Sequence, residues 1–105
     1  LADQLDFSVT ASKPWCLSDP LEDSTNGPLA ESLAAVAHEV AGAGRRLGVS
    51  YGTHAPRFAA AGIPTVVFGP GDIAQAHTKD EWIAVEALGQ AVDILVRFCQ
   101  SVSRI

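Results

Sequence analysis

The sequence predicts an α/β fold, and three observations lead to this class. Segments with helical periodicity alternate with short β-branched segments, and most connections between them are brief. One short segment, residues 63–68, is continuously apolar, which is typical of a strand buried on both faces of a parallel sheet. The chain has 105 residues, of which 48% are hydrophobic, so it is long enough for one small globular domain.

The amino-terminal part predicts a strand followed by a long connection. Apolar and polar residues alternate over residues 7–12, which indicates a half-buried strand. The residues up to Pro28 are rich in Pro, Asp, Ser, Asn and Gly, and a connection of this length often links two domains. We therefore expect residues 1–13 to belong to one domain, residues 14–27 to be an interdomain connection, and residues 28–105 to belong to a second domain.

The first helix is predicted to begin at Pro28, because proline suits the first helical position. Asn26 or Gly27 would then be the N-cap residue. Apolar residues recur at helical spacing after Pro28, and Gly42 and Gly44 are expected to end the helix.

The second half predicts a strand, a short helix and a long final helix. The strand covers residues 47–51, and the short helix covers residues 57–61 and is closed by Gly62. The final helix is expected to open with the capping-box spacing of residues 78–81 and to extend to about Val102. Its predicted apolar seam consists of Val85, Leu88, Val92, Leu95, Cys99 and Val102.

The acidic composition excludes several classes of partner. The formal net charge is −5, and no basic stripe is present that could neutralise phosphates. We therefore expect neither a nucleic acid nor an anionic membrane as a partner. The adjacent Arg45 and Arg46 are assigned to the end of the first helix, where cations offset the helix dipole. No apolar run approaches the roughly 20 residues that a membrane span needs.

The cysteines and the amino terminus indicate the compartment. No secretory signal peptide is visible, and Cys16 and Cys99 are far apart and are interpreted as reduced thiols. We expect a cytoplasmic protein. The chain contains no methionine and opens on Leu1, so we expect a trimmed product, a proteolytic remnant or the ordered part of something longer.

Two loops that follow predicted strands could carry chemistry, because sites in open α/β sheets gather at the carboxyl ends of strands. They are residues 51–55 and residues 69–80. In the second loop, His77 lies between a Gly-Pro-Gly turn and a predicted helix, and a neutral imidazole is a standard zinc ligand. The alternative is that His77 merely caps the helix.

The acidic neighbours of His77 do not complete a metal site convincingly. Asp72 could equally cap the Gly-Pro-Gly turn, and Asp80 and Glu81 are explained as first-turn acids of the last helix. His38 is expected to be a solvated residue on the polar face of the first helix. The residues alone therefore predict no more than part of a metal site.

The stretch of residues 51–82 resembles the carboxyl-terminal catalytic segment of the dinuclear zinc aminoacylase and carboxypeptidase family, the M20-type metallopeptidases. The run Phe-Gly-Pro-Gly-Asp-Ile-Ala-Gln-Ala-His-Thr is most similar to acetylornithine deacetylase and succinyl-diaminopimelate desuccinylase members. Residues 8–33 are similar to the family's return from its lid domain to its catalytic domain. The resemblance implies the carboxyl-terminal part of a zinc-peptidase-like α/β catalytic domain, with a short amino-terminal strand left over from the lid domain.

The resemblance also implies a function and several site residues. The function is that of a zinc-dependent amidohydrolase that removes acyl groups from N-acyl amino acids or cleaves small peptides. His77 matches the last metal ligand of the family, and Gly52 and Thr53 match a turn that lines the substrate cleft. His54 stands where the family commonly has Asp and is assigned to substrate binding, with a structural role as the alternative. Arg57 is a weaker candidate, for which a surface charge is the simpler interpretation.

By the same resemblance, most of the catalytic machinery lies outside this chain. The family's first His, bridging Asp, general-base Glu, two further carboxylate ligands and lid His have no counterpart here. We therefore expect no catalytic residue in this chain, weak zinc binding and no activity by the chain alone. The full-length subunit is expected to hold two zinc ions, to act on an N-acyl amino acid or peptide, and to form a homodimer.

Two other functions stay open. A non-catalytic member of this family could be retained for folding or dimer contacts. A generic α/β binding module could hold an anion where the Gly-Pro-Gly loop meets the amino end of the last helix. A His-x-Asp strand end followed by a Glu-Glu pair in the upstream sequence would decide for the enzyme.

Overall fold

The computed structural model describes residues 7–14 and 17–102, and the regular elements within them are helical. They are α1 (Asp23–Ala41), α2 (Ala55–Ala60), a 3₁₀ turn (Ile73–Gln75) and α3 (Val85–Val102). None of the described residues forms a strand. The predicted α/β class, including its amino-terminal strand, is therefore wrong for this part of the chain.

The three segments predicted as strands are not paired with one another. They are residues 7–12, 47–51 and 63–68, and none of the backbone hydrogen bonds of the described residues joins two of them. A strand is stabilised by hydrogen bonds to a neighbouring strand, so alternation or a β-branched run is not sufficient to form one. Residues 7–12 precede α1, and residues 47–51 and 63–68 lie between helices, without forming a sheet.

Helix α1 begins earlier than the sequence predicts. It starts at Asp23, with Glu22 in an extended conformation at the N-cap, and Pro28 lies inside the helix. The predicted end of the helix is confirmed, because Gly42 follows α1 with a φ of 65°. Glycine adopts this left-handed conformation without steric cost, and its N–H donates to the carbonyl of His38 at 2.9 Å.

Asn26, which was predicted as an N-cap, instead lies inside α1 and is buried. Its Nδ2 donates to the carbonyl of Glu22 at 2.6 Å, and its Oδ1 accepts from the N–H of Thr65 at 2.7 Å. The residue is only 2% exposed, so both groups are satisfied away from water. This one side chain joins the first turn of α1 to the segment of residues 63–68.

After α1 the chain turns back along the helix. A Cβ at Gly44 would collide with the carbonyl of Ala34, so glycine allows the backbone to lie close to α1 here. Arg46 then pairs with Asp23 and, at 3.0 Å, with Glu31. Arg46 therefore reaches acids of the first half of α1, not the carboxyl end of the helix to which the sequence assigned it.

The second and third helices also differ from their predicted bounds. Helix α2 begins two residues before the predicted start, and Gly62 follows it with a φ of 80°, which confirms the predicted closure. Helix α3 begins at Val85, after the predicted capping box, and extends to Val102, the last described residue. No helix in the described ranges is long and apolar enough to cross a bilayer.

The core lies where α1 packs against α3. Its buried side chains are those of Leu33, Ala37 and Ile94. The half-buried residues packed around them come from both helices and from residues 63–68, and they are Val36, Val40, Ala41, Val66, Phe68 and Phe98. The segment of residues 63–68 thus contributes to the core without pairing as a strand.

The predicted apolar seam of α3 is not the face that packs on α1. Val85 is 84% exposed and Val92 is 61% exposed, whereas the buried residues of the helix are Ala91 and Ile94. Helical periodicity identifies apolar faces but does not say which of two faces meets the partner. The face that packs on α1 includes the buried Ala91 and Ile94 and the half-buried Phe98.

The described chain is much less compact than its length would allow. Its radius of gyration is 18.2 Å, against about 13 Å for a globular domain of this size. The buried apolar side chains are few and mostly small, namely Leu33, Ala37, Ala55, Ala91 and Ile94. Much of the apolar surface therefore faces outward.

Replacement of Asn26 by alanine is predicted to destabilise the chain. It would leave the carbonyl of Glu22 and the N–H of Thr65 without this partner in a buried setting, which typically costs about 1–3 kcal/mol. Urea denaturation followed by circular dichroism measures the change in unfolding free energy. The matched control is Thr25→Ala at an exposed neighbouring position, and an equal effect of both substitutions would contradict the assigned role.

Candidate metal and substrate site

The Gly-Pro-Gly loop is shaped by a local cap. Gly71 has a φ of 88°, and the carboxylate of Asp72 then accepts the N–H of Ala74 at 2.9 Å. This hydrogen bond caps the 3₁₀ turn that follows, in which the N–H of Gln75 donates to the carbonyl of Asp72. Asp72 therefore has the local capping role that the sequence left open as an alternative, here on the turn after the glycines.

His77 has an unusual backbone conformation. Its φ is 59°, and among the described residues it alone is non-glycine with a positive φ. Left-handed backbone costs an L-residue about 1–2 kcal/mol, so neighbouring contacts must hold it. The N–H of His77 donates to a carboxylate oxygen of Glu81 at 3.3 Å, and the Thr78 hydroxyl donates to the carbonyl of Gln75 at 2.8 Å.

The roles that the sequence gave to the residues after His77 are corrected by these contacts. Thr78 does not cap a helix, because α3 begins only at Val85. Asp80 and Glu81 are not first-turn acids of α3, and that position belongs to Glu86. His77 likewise does not cap α3. Its imidazole is exposed at the end of a bent loop, where it is accessible to a ligand.

The contact between Glu81 and the backbone N–H of His77 was not predicted from the sequence. The carboxylate of Glu81 is exposed and ties the backbone of His77 from four positions away. The assumed capping box concealed this role, because it assigns the carboxylate of Glu81 to the N–H of Thr78 and not to that of His77. The short separation from His77 was the only sequence signal for it.

The first loop, residues 51–55, is also held by local hydrogen bonds. The Thr53 hydroxyl oxygen accepts the N–H of Ala55 at 3.1 Å, and the carbonyl of His54 accepts the N–H of Arg57 at 3.0 Å. Ala55 is buried, while the side chain of His54 is exposed at the start of α2. No heavy atom lies within 4 Å of the place that a Cβ would take at Gly52, so the backbone there is open to an approaching molecule.

Residues of both loops line one large open cleft of about 1760 Å³. Gly52 and Thr53 line it together with the Gly-Pro-Gly turn and Asp72, and its walls come from α1 and α3. His54 and His77 are not among its lining residues. The structure therefore places residues of the first loop and of the glycine turn on the lining of the same cleft, and it leaves both histidines outside that lining.

The donor set does not make a complete metal site. A zinc site in a protein has about four ligands. In residues 7–14 and 17–102, no group of three or more His, Cys, Asp or Glu side chains is arranged to hold a metal. The exposed imidazole of His77 fits the chemistry of one zinc ligand, and further ligands would have to come from elsewhere.

Comparison with known proteins gives a match over nearly the whole chain. The family model described as Peptidase family M20/M25/M40 matches residues 6–101. A Mycobacterium tuberculosis protein provisionally named succinyl-diaminopimelate desuccinylase is 47% identical over 60 residues, which is 56% of this chain and 17% of that protein.

Two further relatives carry deacetylase names. The N-acetyl-L-citrulline deacetylase of Xanthomonas campestris is 44% identical over 57 residues, which is 54% of this chain and 14% of that protein. The acetylornithine deacetylase of Myxococcus xanthus is 47% identical over 49 residues, which is 47% of this chain and 13% of that protein. The chain thus spans 13% to 17% of the length of these three relatives. No solved structure matches the chain with significance.

The left-handed backbone of His77 predicts that glycine is more stable than alanine at this position, the reverse of the usual order. His77→Gly is expected to be more stable than His77→Ala by about 1 kcal/mol, because only alanine has a Cβ that opposes the left-handed backbone. Thermal unfolding of both variants measures the difference. At the neighbouring Ala76, whose φ is −65°, Ala76→Gly should instead destabilise the chain. A His77→Ala variant more stable than His77→Gly would show that no strain is present.

Proposed function

The chain belongs to Peptidase family M20/M25/M40, and we propose that it is the carboxyl-terminal segment of a zinc-dependent amidohydrolase that removes acyl groups from N-acyl amino acids. The observation that carries this proposal is the family match over residues 6–101. The names of the relatives support the substrate class, because two are deacetylases of N-acetyl amino acids and one is named as a desuccinylase.

His77 is proposed as one zinc ligand of the whole protein. Its imidazole is exposed on a loop whose backbone is held on both sides by local hydrogen bonds, which limits the directions in which the ring can point. When bound, zinc would polarise the scissile carbonyl and lower the pKa of a water molecule. The contribution of this chain is to present and orient a single imidazole, with the other ligands supplied by the remainder of the hydrolase.

Gly52, Thr53 and His54 are proposed to contact the substrate. The open backbone at Gly52 allows close approach, and Thr53 lines the cleft with a hydroxyl whose oxygen already accepts the N–H of Ala55. The hydroxyl hydrogen of Thr53 can therefore donate to a carboxylate or carbonyl of the substrate. His54 is exposed next to this turn and could donate or accept a hydrogen bond at the rim.

The remaining features of the whole protein are proposals of the same kind. Residues 14–27 are proposed as the connection from a lid domain, to which residues 1–13 would belong, and the segment from residue 28 onward as catalytic. Residues 1–6, 15, 16 and 103–105 of these assignments lie outside the described residues. We further propose that the whole protein is a cytoplasmic homodimer. We also propose that it binds neither nucleic acid nor membrane, which accords with the net charge of −5.

In the longer protein, His77→Ala is predicted to remove metal and activity together. Loss of a partner that only orients a metal ligand typically costs 10–100-fold, so loss of a ligand should lower the deacylation rate by at least about a hundredfold. Metal content by atomic emission and the rate on N-acetylornithine are the measurements. His38→Ala, which removes an exposed imidazole from α1, is the matched control and should leave both unchanged.

The same measurements distinguish the proposed hydrolase from the alternative, a non-catalytic module derived from this family. Such a module would show no deacylation before substitution, and its metal content would not respond to His77→Ala. The 105-residue chain by itself should bind zinc only weakly in calorimetry. Tight binding by the chain alone would contradict the proposal that most ligands lie elsewhere.

His54→Ala in the longer protein is predicted to affect substrate binding but not metal binding. Loss of one hydrogen bond to substrate should raise KM about 5–10-fold, which corresponds to about 1–1.5 kcal/mol. Steady-state kinetics and metal analysis measure the two effects. Arg57→Ala, at an exposed position on α2, tests whether the effect is specific to the imidazole. An unchanged KM for His54→Ala would assign His54 to the structural role.

A further inference from the structure

Helix α3 carries three different faces along its 18 residues. The first face packs on α1 and consists of Ala87, Ala91, Ile94 and Phe98. The second face is polar and consists of Glu86, Gln90, Asp93, Arg97 and Gln100. The third face, here called the outer stripe, consists of Val85, Leu88, Val92, Leu95, Val96 and Val102.

The outer stripe is exposed along its whole length. Val85 and Val92 are 84% and 61% exposed, and the other four residues are between 44% and 49% exposed. At about 100° per residue, the outer stripe and the face on α1 together cover about 200° of the helix circumference. A surface helix needs only about half of that apolar arc, and a wider arc is typical of a helix inside a larger body.

Further exposed apolar side chains occur on other segments of the chain. Leu47 and Val49 are 64% and 51% exposed on the return segment after α1, and Ile63 and Val67 are 54% and 46% exposed. The open cleft of about 1760 Å³ also exceeds the roughly 300–1,000 Å³ of a small-molecule pocket. The uncovered apolar surface is thus distributed over several elements and adjoins space that protein could fill.

We infer that the outer stripe of α3 is an internal packing surface, covered by an apolar surface of the remaining polypeptide of the same hydrolase. The inference rests on the proposed function for the existence of that polypeptide. The expected length of the remaining polypeptide supports this occupant, because the chain spans only 13% to 17% of the length of three relatives.

A second copy of the chain fits the outer stripe less well. A helix pair formed as a coiled coil needs at least three to four heptads, and the stripe spans about two and a half. A stable protein interface takes about 20–30 residues from each side. Six residues on one helix are fewer, and the exposed residues of the other segments would stay uncovered by such a pair.

The experiment compares two substitutions that introduce the same side chain on different faces of α3 in the longer protein. Val92→Glu places a carboxylate on the outer stripe, and Gln100→Glu places one on the polar face. We expect Val92→Glu to lower the melting temperature by at least about 5 °C, because a buried unpaired charge is strongly destabilising. Gln100→Glu should change it by less than about 1 °C.

A second measurement needs no variant and so covers the case in which Val92→Glu fails to fold. Hydroxyl-radical footprinting of the wild-type longer protein should show Leu88 and Leu95 labelled at least about tenfold more slowly than in urea, at every protein concentration. Equal melting temperatures for the two variants, or labelling of both leucines as in urea, would overturn the inference. Protection that disappears on dilution, together with a dimer-to-monomer change in light scattering, would overturn it in favour of a second copy.

These readouts do not depend on catalysis. A longer protein without metal or activity, but with a protected outer stripe, would refute the proposed function and leave the packing inference in place. An active protein with an exposed outer stripe would support the proposed function and refute the packing inference.

Discussion

The arrangement of the chain depends on the buried amide of Asn26. It ties the first turn of α1 to Thr65, and the residues directly after Thr65 enter the core between α1 and α3. The same segment continues into the Gly-Pro-Gly turn and the loop of His77. Because a buried amide must satisfy both of its polar groups, Asn26 fixes the position of this segment more strictly than apolar contact alone would. The core and the candidate site are thus linked through one side chain.

The sequence predicted the ends of helices better than their beginnings. Gly42 and Gly62 adopt positive φ values that few other residues tolerate, so their effect is local and readable. Asn26 was predicted as an N-cap but lies inside α1 and contacts Thr65, which is 39 positions away, and no local pattern contains that contact. The predicted strands were not found for a related reason. Strand formation depends on a neighbouring strand, and the composition of residues 63–68 specifies only that they are apolar.

The candidate site was predicted in part. The residue types around Gly52 and His77 indicated where chemistry could occur, and the structure shows Gly52 and Thr53 at a cleft with the glycine turn. The left-handed backbone of His77 and its contact with Glu81 could not be predicted, because the capping-box spacing indicated a helix that begins too early. The apolar pattern of α3 was real, but two apolar faces competed and periodicity alone did not rank them.

The close approach at Gly44 has a consequence for how this chain can change over evolutionary time. Any side chain there would collide with the carbonyl of Ala34 and push the return segment away from α1, which would separate Arg46 from Asp23 and Glu31. Position 44 therefore accepts only glycine for as long as the return segment lies on the helix. Gly48, only four residues later, has no atom within 4 Å of the place that a methyl group would take, and it is free to vary. Two glycines of similar appearance in the sequence thus differ in whether the structure leaves room for a side chain.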